Sequence, residues 1–223
     1  CSSDLVNGDG QISLEDVSFY GYKYYGFQLY NNGKSAENGG TGNLEIKEST
    51  IAIAEGPMFY VTNTSVNVDL ENVKFGFAKD APLAEVVAGD WGEAGKNGGN
   101  LVLNAEQQHL EGDIVVDAIS SVEFDMGSKV TYKGAINPNK QGTAVVVMDK
   151  TSKWTLAADS YLESIQFEKT VEKGIKQINS KGYNIYYNPK NPANAALAGK
   201  TYSLKGVFTS APTVTIPSSP RWR

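Results

Sequence analysis

Three side chains are almost missing from this 223-residue chain. It has one histidine (His109), one cysteine (Cys1), and two arginines (Arg221 and Arg223) within three residues of the end. With one cysteine there is no internal disulfide, and with one histidine there is no Cys/His metal cluster. Residues 1–220 lack the planar fork that binds carboxylate or phosphate bidentately. Positive charge is not gathered into a run, and the net charge is −5, which argues against a nucleic-acid partner. No apolar run approaches the ~20 residues of a spanning helix, and no polybasic stretch suits a membrane surface. Helical periodicity long enough to anchor an α domain is also absent.

Short alternating runs separated by Gly, Asn, Ser and Thr are abundant instead. Apolar runs start at Leu44, Val66, Leu101, Val122 and Val145, at steps of 22, 35, 21 and 23 residues. A period of this size with short strands points to a solenoid, in which each repeat buries its apolar face only by stacking on its neighbours. The expected fold is all-β: a right-handed parallel β-helix with turns of about 22 residues. The long step holds a Gly-rich stretch, Gly89–Gly99 (GDWGEAGKNGG), which reads as a protruding loop. The organisation expected is a leader over 1–11, the solenoid over 12–166, a C-terminal cap over 167–209 and a Pro-rich tail over 210–223. Within the cap, 167–181 reads as a short helix or capping turn, and 183–187 and 200–204 as edge strands. Alternation places Val115, Phe124, Val146 and Leu156 in the core and leaves Trp154 packed.

Several stretches carry a resemblance. GGTGNLEIKEST, GPMFYVTNTSVNVDLENV, AGDWGEAGKNGGNLVL, QHLEGDIVVDAISSVEF, GSKVTYKGAIN, TSKWTLAADSYLESI and GYNIYYNPKNP…GKTYSL run in order from Gly39 to Leu204. They resemble secreted or cell-surface adhesin-like proteins of bacteria and archaea with a right-handed parallel β-helix of pectate-lyase-like architecture. The resemblance implies an extracellular module with further turns upstream and little chemistry of its own. Polysaccharide lyases and galacturonan hydrolases of this architecture carry motifs that are missing here. Asn63-Thr64 is followed by Ser65, there is no Asp-Asp pair, and His109 lacks flanking glycines.

The candidate sites are few. Asp113, Asp117, Glu123 and Asp125 are the candidate carboxylates for glycoside hydrolysis, which needs two of them brought into register by stacked turns, against the plain reading of solvated acids. Trp91 in the Gly-rich loop offers an indole face to a sugar, or else folds back as a cover. Tyr20, Tyr22, Tyr24, Tyr25 and Tyr30 form a group suited to one exposed platform, against the plain reading of a strand edge filled with β-favouring residues; alternation puts Tyr20, Tyr22 and Tyr24 on one side and Tyr25 on the other, so those three are the expected platform. The expected partner is a glycan or surface protein. End-to-end self-association is the alternative, with 213–216 adding to a neighbour as a strand. Cys1, followed by two serines and an aspartate, suits a lipid anchor. No cofactor is expected.

Leu5–Asp16 (LVNGDGQISLED) places Asn7, Asp9, Gly10 and Asp16 at positions 3, 5, 6 and 12 of a calcium loop, but Leu5 at position 1 has no side-chain oxygen. A tight turn before the first strand explains the same residues. A chelator is therefore expected to leave the melting temperature unchanged to within about 2 °C, because only a ligand of the native state shifts stability. A drop of ~10 °C reversed by calcium would assign Asp9 and Asp16 to a metal.

Overall fold

The computed structural model describes residues 4–7, 10–21, 23–33, 40–204 and 213–215, with the backbone alone at 4–7 and 213–215. Among the described residues parallel β-sheet dominates, with one short α-helix (Val171–Gly174) and 3-10 turns at Ile175–Gln177 and Pro192–Leu197. The expected short helix thus falls inside 167–181.

Successive passes of the chain contribute one strand each to a set of stacked sheets. The first sheet holds Asp4–Asn7, Phe27–Tyr30, Phe59–Thr62, Ala84–Val86 and Ile114–Val116. The central sheet has seven strands: Gln11–Glu15, Thr41–Lys47, Thr64–Glu71, Gly99–Glu106, Ser121–Met126, Thr143–Met148 and Ser164–Phe167. The third sheet holds Ser18–Gly21, Thr50–Ile53 and Lys74–Gly76. A fourth follows with His109–Glu111, Thr131–Lys133, Lys153–Thr155 and Ile178–Asn179. The Gln108 side chain joins these two, accepting from Val73 N at 2.8 Å and donating to Val73 O. A terminal sheet holds Ser160–Leu162, Ile185–Tyr187, Thr213–Thr215 and Tyr202–Ser203, and its last pairing is antiparallel. Strand pairing thus crosses the segment limits expected near residues 11 and 210.

Three long sequence runs each split into two strands of different sheets. The break falls on a residue with positive φ: Asp16 (53°), Glu48 (46°) and Asn72 (50°), and Gln107 (50°) occupies the same corner one pass later. The four corners stack: Asp16 N donates to Lys47 O, Glu48 N to Glu71 O, Asn72 N to Glu106 O and Gln107 N to Ser128 O. Left-handed backbone is costly for side chains other than Gly, Asn or Asp. Each corner redirects the chain within two residues, and the first of them hands its N–H to the next pass. Asp16, which sequence alone offered to calcium, is such a corner. Asp9, Cys1 and Tyr22 lie outside the described residues.

The interior is lined by alternate residues. Leu44, Val68, Leu103, Phe124, Val146 and Ile165 pair in sequence across the central sheet, at steps of 24, 35, 21, 22 and 19 residues. All six are buried, as is Leu156. The Leu44–Val66 step expected from the pattern is two residues short, which leaves the inward face unchanged. The expected Val145 start is one residue off, so Ala144, Val146 and Met148 point inward and Val145 does not. Val115 is likewise corrected: Ile114 and Val116 are buried and Val115 is half-exposed. IVV is apolar at every position, so alternation cannot choose between its faces. Rings stack inside as well. Phe27 and Phe59 lie 5.6 Å apart, and Trp154, fully buried, donates from Nε1 to Gly134 O at 2.9 Å.

The register yields a paired test. Val116→Lys should cost at least about 4 kcal/mol, because it buries an uncompensated charge. Val115→Lys, on the opposite face beside Glu85, should stay within about 1 kcal/mol of the parent. Phe124→Asp should yield no cooperative folding transition. Urea unfolding followed by circular dichroism reads all three, and equal losses at 115 and 116 would contradict the assigned faces.

Candidate functional site

The corner between the first and central sheets is where the passes differ most in length. One residue, Asn63, turns the chain between Thr62 and Thr64, whereas residues 87–98 do so in the next pass. The expected loop thus ends one residue earlier, since Gly99 already belongs to a strand. The long loop leans back over the short corner. Asn63 N donates to Asn97 O at 3.0 Å, and Val87 N to Val61 O at 3.0 Å. The buried Asn97 amide donates to Gly89 O (2.8 Å) and Trp91 O (2.9 Å) and latches the loop on itself. Asn63, also buried, donates to Asn31 O (2.6 Å) and Gly33 O (3.0 Å), tying in the preceding pass. Gly89 is required here by close approach: a Cβ would lie 2.7 Å from Thr62 Oγ1 and 3.0 Å from the Tyr60 hydroxyl.

This folding-back brings four aromatic rings together. Trp91 stacks on Tyr30 with centroids 4.4 Å apart and planes at 23°. Tyr25 stacks on Tyr60 at 4.4 Å and 24°. All four rings are half-buried, so each pair keeps some surface in solvent. Tyr60 lies in an outward column, Gln28–Tyr60–Glu85–Val115, across four strands of the first sheet. Burial raises the Glu85 carboxyl above the ordinary carboxylate range. Burial, Glu85 and Asp90 raise the Tyr25 phenol, and burial, Tyr25, Glu85, Asp90 and Asp117 raise that of Tyr60. Both phenols therefore remain protonated donors at neutral pH. Asp117 accepts from Ala88 N (2.6 Å) and Ile119 N (3.1 Å) and pins the start of the loop.

Of the residues singled out in the sequence, Trp91 belongs to this cluster, but as a ring folded onto Tyr30 and not as a free projection. Tyr20 and Tyr24 do not join it. Tyr20 stands on the outer face of the third sheet beside Ala52 and Gly76, 77% exposed. Tyr24 sits in a bend at φ 75° and is also exposed. Gly56 packs against its carbonyl so closely that a Cβ would lie 1.7 Å from the oxygen. The strand ends at Gly21, so alternation does not carry Tyr20 and Tyr24 to one face. Tyr25, assigned to the other side, is the ring that enters the site. Tyr30, the last of the tyrosine group weighed in the sequence, also enters it, and Tyr60 was missed. Their signal is the repeated Phe-x-apolar-x-Asn of Phe27–Asn31 and Phe59–Asn63, whose second and fourth positions point outward.

The four carboxylates weighed for hydrolysis do not converge. Asp113 accepts from Ala135 N at 2.7 Å and Asp117 holds the loop. Glu123 and Asp125 face solvent on the central sheet. His109 is an exposed surface residue held between Thr131 Oγ1 and Glu111 Oε1, each at 2.9 Å. Compared with protein-family models, curated proteins and solved structures, the chain finds no match.

The Glu85 shift carries a sign. A carboxyl whose folded pKa exceeds its unfolded value binds protons more tightly when folded, so stability falls as pH rises between the two. Glu85→Gln removes that loss. The variant should melt higher than the parent at pH 7 and match it once the pH is below the ordinary carboxylate range. A variant that gains nothing at pH 7 would contradict the burial argument.

Proposed function

We propose that the chain is a non-enzymatic, secreted or cell-surface module, adhesin-like, that holds a glycan against the aromatic corner of a right-handed parallel β-helix. Parallel strands that return to the same sheet are joined by right-handed crossovers in nearly all proteins, which supports the hand. The single observation that carries the reading is the two stacked aromatic pairs, Tyr25–Tyr60 and Tyr30–Trp91, in which Tyr30 and Tyr60 stand on strands and Tyr60 lies beside Glu85. Half-exposed rings with flanking acceptors suit the alternating apolar and hydroxylated faces of sugar rings. Weak contacts repeated along a stiff surface add by multivalency.

A second reading, end-to-end stacking into a filament, has one observation in its favour. Gln11–Glu15 and Ser18–Gly21 pair on one edge only among the described residues, and Ile12, Leu14, Val17 and Phe19 beside them are only partly buried. The strand expected to reach a neighbour, however, pairs within the chain: Val214 lies opposite Ile185 and Tyr202.

A glycan array of the purified chain tests the first reading. Tyr60→Ala and Trp91→Ala should each lower binding at least about tenfold, with a stability cost near 1–3 kcal/mol. If both variants bind like the parent but melt much lower, the rings are a cover on the sheet with no recognition role. Fibres in electron micrographs, with an unreactive array, would favour the filament.

A further inference from the structure

The central and fourth sheets meet at a second corner, formed by residues 149–152 in one pass and 168–177 in the next. A groove of about 570 Å³ lies between them. Its lining holds Lys150, Lys153, Lys169 and Lys176 and no carboxylate. In a chain of net charge −5 this concentration of one sign is unusual. Lys150 reaches Glu168 at 3.7 Å, and none of Lys153, Lys169 and Lys176 is ion-paired among the described residues. The floor is rigid: Gln177 Nε2 donates to Asp149 O (2.8 Å) and Ser152 O (2.6 Å), clamping one pass to the next. Trp154 lies beneath, fully buried. Across the same corner the sign reverses: a neighbouring groove of about 440 Å³ is lined by Glu106, Asp125, Asp149 and Glu168 and no basic residue.

We propose that the lysine groove is a second binding site, for a segment of an anionic polysaccharide whose carboxylate or sulfate groups pair with Lys153, Lys169 and Lys176. Lysine ammoniums are point charges that accept an anion from many directions, which suits a chain with acid groups at intervals. The volume is that of a ligand of several rings and is large for a lone phosphate. No aromatic ring other than the buried Trp154 lines the groove, so nothing there stacks a base, which weighs against a single-stranded nucleic acid. The acid-lined groove alongside repels an anionic chain and confines it to the lysines. The site lies on a different corner from the aromatic cluster and rests on the glycan reading only for the choice of a sugar backbone.

Calorimetric titration of the whole chain tests it, with an oligogalacturonate as the carboxylated probe and a heparin-derived oligosaccharide as the sulfated one. A neutral cello-oligosaccharide and inorganic phosphate are the comparators. At least one anionic probe should bind, with affinity falling as salt rises. The double variant Lys153→Gln/Lys176→Gln should weaken it at least about tenfold. Lys74→Gln on the third sheet should leave binding unchanged. Whichever anionic probe binds tells carboxylate from sulfate recognition. The proposal is overturned if neither binds, if the neutral probe binds equally, if the double variant binds like the parent, or if phosphate competes fully at equal concentration. Salt-sensitive self-association in place of saccharide binding would also sink it, pointing to the acidic groove of a second copy as the partner. Anionic binding lost in Trp91→Ala but kept in the lysine variant would reject this site and leave the aromatic one standing. Anionic binding lost only in the lysine variant, with an aromatic corner inert on the array, would do the reverse.

Discussion

The described strands obtain their hydrogen bonds from neighbouring passes of the chain, on both edges inside a sheet and on one at its ends, and that dependence governs the rest of the structure. A parallel strand cannot satisfy its N–H and C=O groups locally. The partner sits 19 to 35 residues away along the central sheet, so a strand is useful only where the corners deliver it in register. The two-residue corners that begin at Asp16, Glu48, Asn72 and Gln107 do this, with one strained φ apiece and one N–H passed onward. Their cost is tolerable because the stack on either side over-determines them.

Once the register is set, each face acquires its own chemistry. The outer face of the central sheet carries a polar ladder: Asn67 donates to Asn43 Oδ1 (3.0 Å), Asn104 to Asp69 Oδ1 (2.7 Å) and Ser121 to Asn100 Oδ1 (2.8 Å). These contacts join residues 21 to 35 apart in sequence and tie each pass to the next on that face. The first sheet presents aromatics instead, and the corner beside the fourth presents lysines. Extra residues enter at one corner in particular, 87–98, where a longer loop does not disturb pairing above or below it. A scaffold of this kind separates stability, carried by the interior, from recognition, carried by corners and outer columns.

Much of the fold was legible in the sequence because period-two patterning survives wherever one side of a strand is polar. LEIK, VNVDLE and VEFDM each show their inward positions without ambiguity, and the Gly-rich excursion stood out from the turns around it. IVV and AVVVM did not, because apolar residues on both faces leave the phase to tertiary packing. The candidate site was half legible. Trp91 could be picked as the large ring in a polar loop, yet its stacking on Tyr30, 61 positions earlier, depends on how far the loop folds back. Tyr20 and Tyr24 looked like one face only while the run was read as one strand, and the bend after Gly21 broke that assumption.

Local chemistry determined by itself that the chain would be β-rich, built of short strands and free of any internal disulfide, and among the described residues no helix is long and apolar enough to cross a membrane. Those properties depend on residue type and on spacing over a few positions, which the sequence states directly. Which outward residues meet was decided only by the tertiary structure. Tyr25 reaches Tyr60, Trp91 reaches Tyr30, and Lys153 shares a groove with Lys176, because the sum of several corner lengths sets the offset between passes. A change of one residue in any of those corners flips a whole strand from one face to the other, so the site is a property of the accumulated register and not of any single segment.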